Sequence, residues 1–256
     1  MTNVLGIIQA RLGSTRLPGK VLSDIAGRPM LARILERVAA ARTVNEIVVA
    51  TTDLDEDVGL CQFVLNSTKW PVFRGAALDV LDRFYRCAQL HKGDIIVRIT
   101  ADDPLKDAGI IDHAVNLLLA NPELDYCSNT LEPTFPEGLD IEVFRFAALE
   151  RAHAKATLPS EREHVTPYIY KNPEIFRVMN FTYKENLSSW RWTVDEQVDL
   201  DFMNIIFAQY SQQPLVPFES VVRWLEAHPE VREMNSSIVR NAGYIKSLAA
   251  EGSNLP

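Results

Sequence analysis

At 256 residues the chain is long enough for one large α/β domain, or for such a domain with a modest subdomain attached. With 47% hydrophobic and 23% charged residues and a formal net charge of −8, it has the composition of a globular protein and lacks the dominant positive field of one that coats nucleic acid or an anionic membrane. No window approaches the ~18 apolar residues of a membrane span, and the N-terminus has no basic segment leading into a long apolar core, so the expected location is the cytoplasm.

Residues 4–9 read as a buried strand, and a basic, glycine-containing loop follows from Gln9 to Lys20. Pro29 opens a helical pattern with apolar residues at Met30, Leu31, Ile34, Leu35 and Val38, and Ile47–Ala50 is a second strand. Strand, loop, helix and strand make a βαβ unit. A helix is expected over 56–65, a short strand at Val72–Gly75, and a helix from Asp79 whose Val80, Leu81, Phe84, Tyr85 and Ala88 share one face. The apolar strand Ile95–Thr100 runs into a second strand-end loop, Ala101–Asp107, before a helix over 110–119. From residue 124 the pattern shifts to short strands at 126–129, 139–144 and 176–182, with helices at 145–155 and 163–170, the latter broken near Pro167. The segment 124–183 therefore reads as an excursion or subdomain within a single domain spanning 1–256. Trp190–Val194 is expected to return as a strand ending in Asp195, with helices at 197–210, 217–227 and 236–249. Cys61, Cys87 and Cys127 have no metal-binding spacing and are an odd number for a disulfide framework, so they read as reduced thiols.

The first loop carries Arg11, Ser14, Thr15, Arg16 and Lys20 at a strand end, where backbone N–H groups and positive charge suit an anion. It departs from the ATPase phosphate loop: five residues separate Gly13 from Gly19, and Val21 follows Lys20 where a hydroxyl would be needed. No G-x-G-x-x-G supports a dinucleotide site either. What remains is a cluster able to neutralise a triphosphate, or a solvated basic turn. Asp102 and Asp103 follow a strand, and Asp195 could join them if the strands are neighbours. Such oxygens suit Mg²⁺, although they could equally shape a turn and cap a helix. Alternation places Asp140 and Glu142 on one strand face, available to sugar hydroxyls or simply exposed. His164 and Tyr168 lie one helical turn apart, a weaker signal because a lone histidine is more often structural.

The run Ile-Ile-Gln9-Ala10-Arg11-Leu-Gly13-Ser14-Thr-Arg16-Leu-Pro-Gly-Lys20 resembles the N-terminal signature of the CMP-sugar synthetases that activate KDO and acylneuraminates. The resemblance extends through Phe73–Tyr85, Ile99–Leu105, Glu137–Phe144, Glu161–Tyr170 and Trp192–Asp195, and is nearest to the branch called spore coat polysaccharide biosynthesis protein F. It implies a Rossmann-like, mixed-sheet nucleotidyltransferase fold, a three-layer α/β sandwich akin to that of the metal-dependent glycosyltransferases, with 124–183 serving acceptor binding and homodimerisation. By position, Arg11, Arg16 and Lys20 would act on the triphosphate. Ala10, Gly13, Ser14, Arg74, Asp79 and Asp102 would complete the nucleotide site. Asp102 and Asp195 would hold Mg²⁺, and Asp140, Glu142, His164 and Tyr168 would face the acceptor. The implied partners are CTP, or another nucleoside triphosphate, and a small sugar acceptor, with neither nucleic acid nor membrane. The chain departs from the KDO enzymes in having Asp103 where they carry Glu, and Gln9 where they carry Pro. A glycosyltransferase consuming a nucleotide-sugar and a non-catalytic nucleotide-binding member of a polysaccharide cluster are the alternatives.

Overall fold

The computed structural model describes residues 2–252 and is organised around a seven-stranded mixed sheet. Strand β1 (Val4–Gln9) is central, flanked by β4 (Glu46–Thr52) and β6 (Ile95–Thr100), and β5 (Val72–Gly75) pairs with β4; these four are parallel. The sheet continues past β6 through β8 (Glu142–Arg145), β7 (Tyr126–Ser128) and β9 (Val178–Asn180). β8 is antiparallel to both its neighbours, whereas β7 and β9 are parallel to each other. The segment 124–183 thus extends the main sheet with three strands.

The period-2 pattern of β1 explains its position. Val4 and Ile8 enter one apolar core, Leu5 and Ile7 the other, and all four are buried, as a strand covered on both faces requires. The first core is covered by α1 (Met30–Ala39), α2 (Val58–Ser67), α4 (Ala108–Ala120), α8 (Gln197–Gln209) and α9 (Phe218–Ala227). On the other face lie α3 (Val80–Leu90), α5 (Phe146–Lys155) and α7 (Pro167–Tyr170). The result is the three-layer α/β sandwich expected. A small hairpin, β2 (Asp24–Ile25) and β3 (Arg28–Pro29), precedes α1 and takes Pro29 out of its first turn. The remaining helices are α6 (Pro159–His164), α10 (Pro229–Arg232) and α11 (Ala242–Gly252). Cys61, Cys87 and Cys127 are buried and unbridged, and among the described residues no helix is long and apolar enough to cross a membrane.

Four expected elements differ. The helix expected over 163–170 is instead the end of α6 and all of α7, separated at Val165, which takes a positive φ of 71°. Residues 139–141 do not extend β8, because the Asn129 side chain takes the place of a ladder partner: its amide nitrogen donates to Leu139 O at 2.9 Å, and its oxygen accepts from Ile141 N at 2.8 Å. Trp190–Val194 is extended but bonds to loops, with Trp192 N on Glu137 O at 2.7 Å and Val194 N on Asp102 O at 2.8 Å. The last helix starts at Ala242, six residues late, after a turn in which Asn241 takes a positive φ of 56°.

Candidate active site

The parallel strands end at one edge of the sheet, and there a cleft of about 1380 Å³ opens. That is larger than the ~300–1,000 Å³ typical of a single small-ligand site, so it has room for two reactants. Its floor is set by the ends of β1 and β6, and the loop after β1 forms one wall. This loop is folded upon itself: Gly19 N and Ser14 N both donate to Leu12 O, at 3.1 and 2.8 Å, and Ser14 Oγ accepts from Leu17 N at 3.3 Å. The buried carboxylate of Asp57 anchors its base by accepting from Leu12 N at 2.6 Å. Gly19, at φ 71°, turns the chain so that Lys20 enters the cleft. Arg11 is exposed on the lining and has no hydrogen bond or ion pair among the described residues.

Lys20 joins the loop to the acidic half of the site. Its Nζ lies 3.2 Å from Asp102 Oδ2, 2.8 Å from Asp195 Oδ1 and 2.8 Å from Val194 O. Burial opposes the ammonium charge, but Asp102 and Asp195 overcome it and hold the Lys20 pKa above its ordinary value. Burial works to raise Asp102, but Lys20, Thr100 and Lys106 together hold it below the usual carboxylate range. Arg16 reaches the other oxygen of Asp195 at 2.9 Å. Two carboxylates thus converge on one cation position, here filled by the ammonium. A pair of this kind fits Mg²⁺, which takes its remaining ligands from phosphate and water. Among the described residues no group of three or more His, Cys, Asp or Glu forms a closed metal cage, so a metal here would depend on a substrate for ligands. Asp103 points elsewhere: it pairs with Lys106 at 2.8 Å and accepts from Thr100 Oγ1 at 2.7 Å. Burial, opposed by Lys106 and reinforced by Asp102 and Asp140, pushes it up to about 6.

Asp195 is positioned by Arg191, a buried residue that the sequence reading passed over. Its guanidinium binds Glu137 at 2.8 Å, Asp195 at 3.1 Å and both oxygens of Asp199 at 2.9 and 3.0 Å. Asp199 also accepts from Asp195 N and Glu196 N, at 2.9 and 3.0 Å, where α8 begins. Burial works against its ionisation, but Arg191 and these donors hold its pKa below the ordinary aspartate value. The available signal was an arginine followed by acids four and eight residues on, although Arg191 lies in the extended segment and Asp199 in the first turn of α8.

The other end of the cleft is lined by Asp140, Glu142, His164 and residues of α11. Asp140 is paired with Arg240. Glu142 is buried, with one oxygen taken by Arg98 and the other accepting from Tyr126 Oη at 2.8 Å and from Thr166 Oγ1. The expectation of an open acidic strand face is therefore corrected: Glu142 begins β8 and its oxygens are already spent, while Asp140 precedes the strand. His164 Nε2 meets Ser247 Oγ at 3.0 Å. Tyr168 does not line the cleft, because its ring packs edge-on against Phe176 at 6.0 Å; Tyr170 lines it instead. Arg74 is also outside, donating to the carbonyls of Thr52 and Leu54 at 3.1 and 3.0 Å. The buried Arg83, one turn into α3, is on the lining, as are Ala10, Gly13, Ser14 and Asp79, which caps α3 and binds Arg162 Nε at 3.0 Å.

A family model described as cytidylyltransferase matches residues 5–221. The spore coat polysaccharide biosynthesis protein SpsF of Bacillus subtilis is 29% identical over 90% of this chain and 97% of its own. A 3-deoxy-manno-octulosonate cytidylyltransferase of Geobacter sulfurreducens is 39% identical over 47% of each chain. Among solved structures, a cytidylyltransferase from Leptospira borgpetersenii superposes with a TM-score of 0.88 at 31% identity, covering 94% of this chain and all of that one. The chain belongs to the cytidylyltransferase family, and is a nucleotidyltransferase enzyme.

Proposed function

We propose that the protein is a Mg²⁺-dependent cytidylyltransferase that joins CMP from CTP to an acidic sugar or sugar phosphate, releases pyrophosphate, and serves surface polysaccharide synthesis. The observation that carries this reading is the meeting of a cationic loop with two carboxylates, Asp102 after β6 and Asp195 after the extended 190–194 segment, at Lys20 Nζ, in a cleft with room for two substrates. Arg11 and Arg16 bind the β- and γ-phosphates with their planar forks, and Lys20 moves from the two aspartates onto phosphate oxygens. Asp102 and Asp195 would hold Mg²⁺, which would supply charge neutralisation for the phosphates. An acceptor oxygen attacks the α-phosphorus opposite the pyrophosphate, whose developing charge the three cations stabilise. Positioning and charge neutralisation suffice, and no covalent enzyme intermediate is needed. The polysaccharide role draws on the printed name of the Bacillus relative, and the acidic acceptor on that of the Geobacter one. A single domain acting as a cytoplasmic homodimer, with 124–183 at the interface, belongs to the same reading and is checked by the mass in solution.

The test is pyrophosphate release from CTP with a panel of sugar acids and sugar phosphates. Asp102→Asn and Asp195→Asn should each lower turnover by more than about 100-fold, as expected for losing several kcal/mol of charge stabilisation. Removing divalent ions with EDTA should abolish turnover, and added Mg²⁺ should restore it. Wild-type rates in both variants would show the metal assignment to be wrong.

A further inference from the structure

The arginines at the acceptor end of the cleft are internally neutralised: Arg98 by Glu142, Arg162 by Asp79, and Arg240, just behind, by Asp140. Lys246 is not. It is exposed on the lining, with no hydrogen bond or ion pair among the described residues. It belongs to α11, which lies beyond the matched residues 5–221 and contributes no buried residue to the core. Polar contacts, together with the Tyr244 ring packed edge-on against His164 at 4.9 Å, hold α11 in place. Asn241 N donates to Glu137 Oε1 at 2.8 Å, Ser247 Oγ to Glu163 at 2.9 Å, and Ser160 Oγ to Glu251 at 2.9 Å. The helix lines the cleft with Ala242, Gly243, Tyr244, Lys246, Ser247 and Ala250, and Lys246 is the one charged side chain among them. This leaves one long, uncompensated cation projecting where a second substrate has room to lie.

We propose that Lys246 binds the anionic group of the acceptor, a carboxylate or a phosphate, and that α11 is an acceptor-specificity element. The proposal rests on the cytidylyl-transfer reading. Charge separates the two ends of the cleft: Arg11, Arg16 and Lys20 serve the triphosphate, and Lys246 meets an anion arriving from the other side. A flexible ammonium accepts either anion geometry, whereas a guanidinium would favour a bidentate fit.

The experiment loads the enzyme with CTP and Mg²⁺ and measures thermal shift and pyrophosphate release with a 3-deoxy-2-keto sugar acid, a hexose 1-phosphate and a neutral hexose. At least one anionic compound should bind the wild type, and which one identifies carboxylate or phosphate as the ligand. Lys246→Met should weaken that binding by about 10- to 100-fold, the usual worth of a hydrogen bond to a charged group. Lys246→Glu should abolish it, Lys246→Arg should retain most of it, and CTP binding should be unchanged in all three. Because the side chain is exposed, these variants should fold. Wild-type anion binding in Lys246→Met and Lys246→Glu overturns the proposal, as does a wild-type enzyme that takes only the neutral sugar or binds none of the three. Failure of CTP to stabilise the wild-type protein removes the underlying reading, and the proposal with it.

Discussion

At the scale of single residues, Arg191 decides how Asp195 stands. A guanidinium 5% exposed and shared among Glu137, Asp195 and Asp199 has no solvent to replace it. Arg191→Met would leave buried carboxylates unpaired, at a cost of about 3–5 kcal/mol. For a protein of this size that is a fall in Tm of roughly 6–20 °C, measurable by calorimetry. The pH dependence follows from Asp199, whose folded pKa is depressed. Its stabilising contribution is complete above the pKa of an unfolded aspartate and is lost as pH falls through the lower, folded value. Without Arg191 the folded pKa rises, so the acid-unfolding midpoint of Arg191→Met should move to higher pH; an unmoved midpoint would mean that the ion pair does not hold the charge.

At the scale of elements, the β1–loop–α1–β4 unit was legible because alternation and helical period both report burial, and both faces of β1 are buried. The tyrosines of 167–170 were not. The chain breaks at Val165, whose φ of 71° is unusual for a β-branched residue, and the four-residue helix after it turns Tyr170 toward the cleft and Tyr168 toward Phe176. Nothing in residue spacing reveals such a rotation. The segment Trp190–Asp195 was recognised as extended, but its partners are loops, and loop pairing leaves no periodic trace. Its placement hangs on Gly138, at φ 103°, where an added Cβ would lie 2.5 Å from Trp192 C and O. Gly138→Ala would strain its own backbone by about 1–3 kcal/mol and push the 190–195 segment from Asp102. Lower Tm and a disproportionate loss of turnover are expected; a loss of stability alone would show that Asp195 is positioned without this contact.

At the scale of the molecule, the two cores on either side of the sheet carry the fold, and α11 sits outside them. Truncation after Asn241 should therefore change Tm little and preserve stabilisation by CTP, which at about 100-fold above its Kd contributes about 2.7 kcal/mol. A collapsed or aggregated truncation product would place α11 in the structural core instead. The sheet itself has a further consequence. β8 is reversed between β6 and β7, so its first residue, Glu142, stands opposite Arg98 near the ends of the parallel strands. One edge of the sheet is thus supplied by chain leaving the parallel strands and by chain arriving at the reversed one. The departing loops carry the cations and Asp102 assigned to CTP, and the arriving stretch, 129–141, carries Glu137 and Asp140. Exchanges in that stretch that spare Glu137 and Gly138, which hold the 190–195 segment, can reshape one half of the cleft while the register of β1 and β6 holds the other still, which lets a lineage change its acceptor without rebuilding its nucleotide chemistry.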